Sequence, residues 1–475
     1  MLTRRDVLRG GASAPLLSCL PVSSLGSGTR ERVLEKAKKL AAGRNPVLRL
    51  LVPQGSLANI EENARSFEKS SGVGILITEV PVDEVSSRAI LENATGRAGF
   101  DIALPATFGV PDLVESGALL PLDDLAKKHE PPELAEGCLY TLGDRYKGHL
   151  YGYQADGDVY MMFYNRSIME DEALSKRYAD AHGRELRIPQ TWEELDSQMQ
   201  FMHQPDAGRY GGCLYRIPGY IEWEWWIRMH AKGQMPLDED MHPLFDGEAG
   251  VLALEELIAA SAWQSPKSGS HGLFENWQEY SGGSVFANIG WGGTQKFLQS
   301  DQSAVKGGLL FGPTPGGMIG GQLLPISYFN WGWNYTVSSR CKEPELAYLF
   351  TLYVSLPDRS TIAVRAQDGF FDPHRDVHYE DVAVRKVYGK SFLEQHRKSM
   401  QACIPDLYLQ GRDQYFTKLG RLLYRANQGE LNPQRALHLA AQAWEQTTDR
   451  LGREAQIDQW KQIRASYPEH VLSRH

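Results

Sequence analysis

Two kinds of side chain here have types and spacings that could do chemistry: carboxylates set close together, and tryptophans set near polar residues. Asp156 and Asp158 flank Gly157, and Glu222 and Glu224 lie in the run Tyr220-Ile221-Glu222-Trp223-Glu224-Trp225-Trp226. Paired carboxylates can serve as acid and base on a glycosidic bond. No Gly-x-Ser-x-Gly, His-Glu-x-x-His or Walker loop is present, so no catalytic residue and no cofactor is expected. His230 and His242 lack a third ligand at metal spacing and read as surface histidines, so no metal is expected either. The aromatics suit another task. Tyr215, Trp223, Trp291, Trp331 and Trp333 offer flat apolar faces, with Arg216 and Asn288 near them in sequence and Asp368 just before the aromatic pair Phe370-Phe371. Such a mixture fits a small ligand that has both hydroxyl groups and C–H faces.

The elements that must position these groups begin with an alternating pattern. Val47 to Val52 is a buried strand closed by Pro53 and Gly55. Leu57, Ile60, Ala64 and Phe67 recur at helical spacing, and Ile75 to Val80 is β-rich again. A helix around Glu84–Glu92 and the strand Phe100–Leu104 continue the series, which predicts an open α/β sheet. Ligands of such sheets sit beyond the carboxyl ends of the strands. That points to Gln54 and Ser56 after the first strand, and to Thr107 and Phe108 after the third. Thr191 with Glu194 predicts a capped helix start. Residues 344–356 form a helix with Leu346, Leu349, Phe350 and Tyr353 on one face. The tail from 432 to 467 is largely helical. Glycine collects at 282–293 and 307–321, where loops are expected.

The whole chain has 475 residues and a formal charge of −9, a length that favours two lobes over one core. An acidic body without a basic stripe argues against a nucleic-acid partner. Thr3-Arg4-Arg5-Asp6-Val7-Leu8-Arg9, an uncharged stretch to Leu25 and the small residues Ser24, Gly26 and Ser27 resemble a twin-arginine export signal over 1–28. Export to the periplasm is therefore expected. Leu16-Leu17-Ser18-Cys19 leaves a lipid anchor at Cys19 as the lesser alternative. Cys138, Cys213, Cys341 and Cys403 could make two disulfides in any of three connectivities, or remain buried thiols. A short charged helix leads into the body over 29–45.

Several segments in fixed order resemble the type 1 extracellular solute-binding proteins of bacterial ABC importers, the broad group that includes maltose-binding proteins. They are Phe67-Glu68-Lys69-Ser70-Ser71-Gly72-Val73, Phe100-Asp101-Ile102-Ala103 and Gly117-Ala118-Leu119-Leu120-Pro121-Leu122-Asp123. Tyr146–Gly152, Met162–Arg166, Pro189-Gln190-Thr191-Trp192-Glu193-Glu194-Leu195, Phe311–Gly317 and Gln428–Leu437 continue the match. Extra residues around Ser175–Leu186 and Asp372–Arg397 depart from the family pattern. The resemblance implies an α/β, two-lobed periplasmic-binding-protein type II fold. It places a first lobe at 46–155 and 285–335 and a second at 156–284 and 336–475. Strands would cross between the lobes near Gln154–Asp158, Val285–Ile289 and Trp331–Val337. It further implies a monomer that binds a sugar or polyol between the lobes and passes it to membrane permease subunits. A polyamine or glycerol phosphodiester is the alternative cargo. Of Trp225 and Trp226, at most one is expected to face the cleft.

Overall fold

The computed structural model describes residues 22–473. Arg4, Arg5 and Cys19 lie outside the described residues. The helix Val22–Ala41 starts earlier than the expected lead-in. Its residues Val33, Ala37 and Ala41, four apart, are buried against the helices Leu57–Ser71 and Pro344–Ser355.

Strand Val47–Pro53 pairs in parallel with Gly74–Val80 on one side and Ile102–Ala103 on the other, the βαβ arrangement expected. Helix Leu57–Ser71 ends at Gly72, whose φ of 75° is a left-handed cap that a side chain would oppose. Two antiparallel strands, Asn334–Val337 and Gly152–Gln154, complete a five-stranded first sheet. A second sheet orders Leu309–Pro313, Met161–Asn165, Val285–Gly290 and Tyr210–Gly212 side by side. Met161–Asn165 and Val285–Gly290 are buried at every residue. They therefore lack the alternation of a half-exposed strand.

The sheets divide the chain differently from the expected lobes. Val285–Gly290 is not a crossing strand but an interior strand of the second sheet, paired with both Met161–Asn165 and Tyr210–Gly212. Leu309–Pro313 belongs to that sheet too. The helices Pro344–Ser355 and Pro357–Val364, expected in the second lobe, pack on the first sheet and its helix Leu57–Ser71. The chain crosses at 155–160, again at 329–333, and a third time between 365 and 389, before helix Lys390–Gln401 packs on Leu309–Pro313. The glycine-rich stretches are not simply loops either, since they hold strands Val285–Gly290 and Leu309–Pro313 and the start of helix Gly292–Leu298. Glycine serves there for close approach. A Cβ on Gly292 would collide with the Asp372 carboxylate, and one on Gly293 would stand 2.9 Å from Phe370 Cβ. The four cysteines in the described residues are free thiols, Cys213 and Cys403 buried.

The second lobe holds a buried ionic network where a ligand contact was expected. Arg216 donates to Glu224 Oε2 at 2.6 Å and to Ser261 Oγ at 2.7 Å. Glu224 also accepts from Arg228 Nε at 2.9 Å, and Arg228 clasps Asp196 with bonds of 2.7 and 2.8 Å. Burial alone would raise the Glu224 carboxyl, but the two guanidinium groups outweigh it and hold Glu224 below its usual value. Arg216 is thus a structural brace. His230, read as a surface histidine, is fully buried, with Nδ1 2.7 Å from the Trp226 carbonyl. Trp225 and Trp226 both lie in the core, against Phe245 and against Phe416 and Trp444.

Removing one partner from such a network leaves a buried charge short of compensation, so Arg216→Ala should cost about 3–5 kcal/mol in urea unfolding at neutral pH. Glu224 is depressed, so its contribution is present above the ordinary glutamate range and fades as pH falls through the lowered value. The deficit of the variant should shrink in acid; a pH-independent deficit would contradict the charge argument. A second change tests the crossings. A Cβ on Gly157 would run into the carbonyl oxygen of Pro373. Gly157→Ala should therefore destabilise by about 1–3 kcal/mol. Gly269→Ala, with nothing within 4 Å, should be close to neutral in the same thermal unfolding series.

Candidate functional site

The sheets meet at a small cavity of about 30 Å³, lined by Val82, Asp158, Leu273, Trp277, Trp291, Gly293, Trp331, Trp333 and Phe370. That volume holds one water-sized group. Val82 follows a strand end of the first sheet, Trp331 and Trp333 flank the second crossing, and Leu273 and Trp277 come from helix Leu273–Ser281. The cavity therefore draws walls from both lobes. It adjoins a larger groove of about 630 Å³, with which it shares Trp277, Gly293 and Phe370. Gly55, Phe274, Lys296 and Asp368 also line that groove, whose size suits a small-molecule site.

The aromatic walls are held by one another. Trp331 lies with ring centroids 5.6 Å from Trp291, 5.2 Å from Trp223 and 5.9 Å from Trp333. Tyr160 packs on Trp291 at 4.6 Å, and Tyr215 stacks on Tyr220 at 4.6 Å. Trp291 is further fixed by its indole N–H, which donates to Asn330 Oδ1 at 2.9 Å. The buried Nε1 atoms of Trp223 and Trp331 have no hydrogen-bond partner, which buried donors rarely lack.

Beneath the aromatic walls lies a knot of carboxylates. Oxygens of Asp156, Asp158 and Asp372 all lie within 4.8 Å of one another, and all three residues are buried. Asp156 and Asp158 lie two apart in 155–158, a segment without strand or helix geometry, and their oxygens converge there. Asp156 Oδ1 accepts from the Asp372 N–H at 2.6 Å, and Asp158 Oδ2 from the Gly332 N–H at 3.2 Å. Asp372 Oδ2 accepts from the Gly292 N–H at 2.6 Å. The first crossing is thus bonded to both the second and the third, and the third to the start of helix Gly292–Leu298. Lys296 donates to the Phe371 carbonyl at 2.9 Å, and the Tyr388 hydroxyl lies 2.9 Å from Asp372 Oδ1. Burial, and then the neighbouring carboxylates, push Asp156 and Asp158 well above the usual range. Burial raises Asp372 to about 6, with Lys296 opposing, and lowers Lys296 to about 8.

Of the residues expected to bind ligand, Asp158, Trp291, Trp331 and Trp333 line the small cavity. Asp156 backs Asp158, and Trp223 and Tyr215 support the tryptophans from behind. Phe108 is 6.2 Å from Trp331, and the Arg412 guanidinium stacks on it at 3.8 Å. Asp368 is exposed on the larger groove. Others are not gathered there. Gln54 is exposed, and Ser56 turns back to donate to the Pro53 carbonyl at 2.7 Å. Thr107 donates to Asn334 Oδ1 at 2.6 Å, a brace within the first lobe. Asn288 donates to Asn276 Oδ1 at 2.8 Å inside the second lobe. The site also contains residues not singled out beforehand: Val82, Leu273, Trp277, Lys296 and Asp372. Asp372 followed the noted pair Phe370-Phe371 but lay in a stretch set aside as extra to the family pattern. Lys296 carried no signal, since one lysine in a short helix reads as solvated.

A family model described as bacterial extracellular solute-binding protein matches residues 62–385. A probable amino-acid ABC transporter periplasmic-binding protein of Sinorhizobium fredii is 22% identical over 369 residues, covering 75% of this chain and 78% of that protein. Among solved structures, a solute-binding protein of Agrobacterium radiobacter K84 in complex with ribitol superposes with a TM-score of 0.72. It is 17% identical and covers 84% of this chain and 98% of that one. Maltose-bound MalE3 of T. maritima superposes with a TM-score of 0.71 at 15% identity, covering 84% and 99%. The two-sheet architecture, with a cleft at the crossings, is the fold these structures share. With the family model spanning well over half its length, the chain belongs to the bacterial extracellular solute-binding proteins.

Proposed function

We propose that the protein captures a sugar or polyol between its two lobes outside the cytoplasm and delivers it, as a monomer, to the permease subunits of an ABC importer. The observation that carries this is the aromatic cavity drawn from both lobes with a buried carboxylate at its floor. Tryptophan faces suit the C–H surfaces of a polyol, and a fixed carboxylate suits its hydroxyls. Similarly folded proteins hold ribitol and maltose, which supports the same class here. Family and fold are those of substrate-binding transport proteins rather than enzymes. The family is extracellular, so the protein is an exported one; the route we favour is the twin-arginine signal at Arg4 and Arg5, with a lipid anchor at Cys19 as the lesser alternative.

Contacts to both walls exist together only when the lobes are closed. A ligand therefore shifts the open–closed population by what it gains on closure. Micromolar binding corresponds to about 8 kcal/mol net, within reach of stacked rings and several hydroxyl bonds.

A thermal-shift screen of the mature protein against sugars, polyols, polyamines and phosphodiesters tests this. A cognate ligand at a hundred times its dissociation constant should add about 2.7 kcal/mol of stability. Trp331→Ala should weaken that ligand at least about tenfold by calorimetry on the folded variant. Stabilisation by phosphodiesters alone would overturn the sugar or polyol class.

A further inference from the structure

The cleft gathers more acidic groups than basic ones. Asp156, Asp158 and Asp372 cluster near the Lys296 ammonium, and all four side chains are buried. Asp156 Oδ2 meets no N–H or hydroxyl donor, and the Asp156 and Asp158 carboxyls share a hydrogen bond beneath the cavity floor, so a proton is held there. Asp158 itself lines the cavity, where its neighbours Trp277, Trp291, Trp331, Trp333 and Phe370 present an aromatic enclosure. Aromatic faces attract cations most strongly when water is excluded, and a buried carboxylate gains most from a partner of opposite charge. The cavity has room for one water-sized group, the size of an ammonium and not of a sugar ring. The adjoining groove has room for the remainder of a solute.

We infer that the solute bears a protonated amine, which sits in the aromatic cavity against Asp158 while its hydroxylated body occupies the adjoining groove. This rests on the sugar or polyol reading above and narrows it to amine-bearing members. Without ligand, the carboxylate cluster relieves its repulsion by holding protons, as the raised positions of Asp156 and Asp158 indicate. The groups that set this balance are Asp372 from the third crossing, Lys296 from helix Gly292–Leu298 and Tyr388 from helix Val382–Tyr388. An incoming ammonium takes over the compensating role, and a proton leaves the cluster for solvent. Binding of an amine is thus linked to proton release, and amine affinity rises with pH until the amine itself deprotonates.

The test is calorimetry on the full mature protein with two matched series. Glucosamine is compared with glucose and N-acetylglucosamine, and 1-amino-1-deoxysorbitol with sorbitol. Each titration is run in two buffers of different ionisation enthalpy. The amines should bind at least about tenfold tighter than their neutral partners and release up to about one proton each. Asp158→Asn should erase that preference; the proton count on the unmodified protein gives an answer even if the variant fails to fold. Neutral members binding as tightly, with no proton release, would overturn the cationic head group and leave the sugar or polyol class standing. Binding of ethanolamine with no response to any sugar or polyol would keep the cation site and overturn that class. No binding by any compound would overturn both, and stabilisation by Ca²⁺ or Mg²⁺ alone would make the cluster a metal site instead.

Discussion

The bond between the Asp156 carboxylate and the Asp372 backbone N–H ties together two of the segments that cross between the lobes. Asp156 belongs to the first crossing and Asp372 to the third, and Asp158 adds the second through the Gly332 N–H. Three strands of chain far apart in sequence are thereby fixed at one buried point. The chemistry is costly in isolation, because carboxylates taken from water lose several kcal/mol each unless hydrogen bonds or protons compensate. Backbone N–H groups of Asp372, Gly332 and Gly292 supply part of that compensation. Lys296 supplies more, and proton retention covers the rest. Glycine is needed where these segments touch, at 157 and 292, because a side chain would occupy the space of a carbonyl or a carboxylate. The pivot is therefore both charged and tightly packed, and what stabilises it is also what the ligand cavity rests on.

The tryptophans follow from the same arrangement. A floor of buried carboxylates needs walls that exclude water, and large rings cover the most area with the fewest torsions. Trp223, Trp291 and Trp331 brace one another at centroid distances of 5.2 to 5.9 Å, and Asn330 locks the middle ring through its indole N–H. The second-lobe core behind them is set by a separate device, the Arg216–Glu224–Arg228 network. That separation lets the cleft wall rest on a rigid body, so closure can move lobes as units rather than repack side chains.

Much of this was legible in the sequence, in proportion to how local its causes are. The opening βαβ series could be read because periodicity, strand closure at Pro53 and the Gly72 cap act within a few residues. Trp331 and Trp333 stood out because they lie at a crossing, whereas Trp277, inside the helix Leu273–Ser281, did not. Lobe membership was harder. Val285–Gly290 is buried on both faces, so it lacks the alternation that would have declared a strand, and its flanking glycines suggested a loop. Arg216 and Asn288 had the right chemistry for a ligand, but their partners, Glu224 and Asn276, are fixed by tertiary packing alone. The spacing of Asp156 and Asp158 would set both on one face of a strand, but the irregular segment in which they meet is fixed by tertiary packing. Asp372 and Lys296 enter only when the third crossing is known.

The chemistry of the cleft also bears on the relative from Sinorhizobium fredii, whose name speaks of amino acids. An α-carboxylate in a closed site needs a fixed cation, usually a guanidinium that can grip both oxygens. Near this cleft the arginines are already engaged: Arg216 and Arg228 with Glu224, and Arg412 with Asp406 at 2.7 Å. Of the two lysines that line the larger groove, Lys306 pairs with Asp301, and Lys296 donates to a backbone carbonyl near three carboxylates. A solute carboxylate brought there would oppose any loss of the Asp158 proton and would find the Lys296 ammonium turned to a backbone carbonyl. The amine of an amino acid would be welcome in the cavity, but its carboxylate would not. Selection at this site thus turns on sign of charge first and on shape second, because aromatic walls accept many outlines whereas a buried carboxylate floor accepts one polarity.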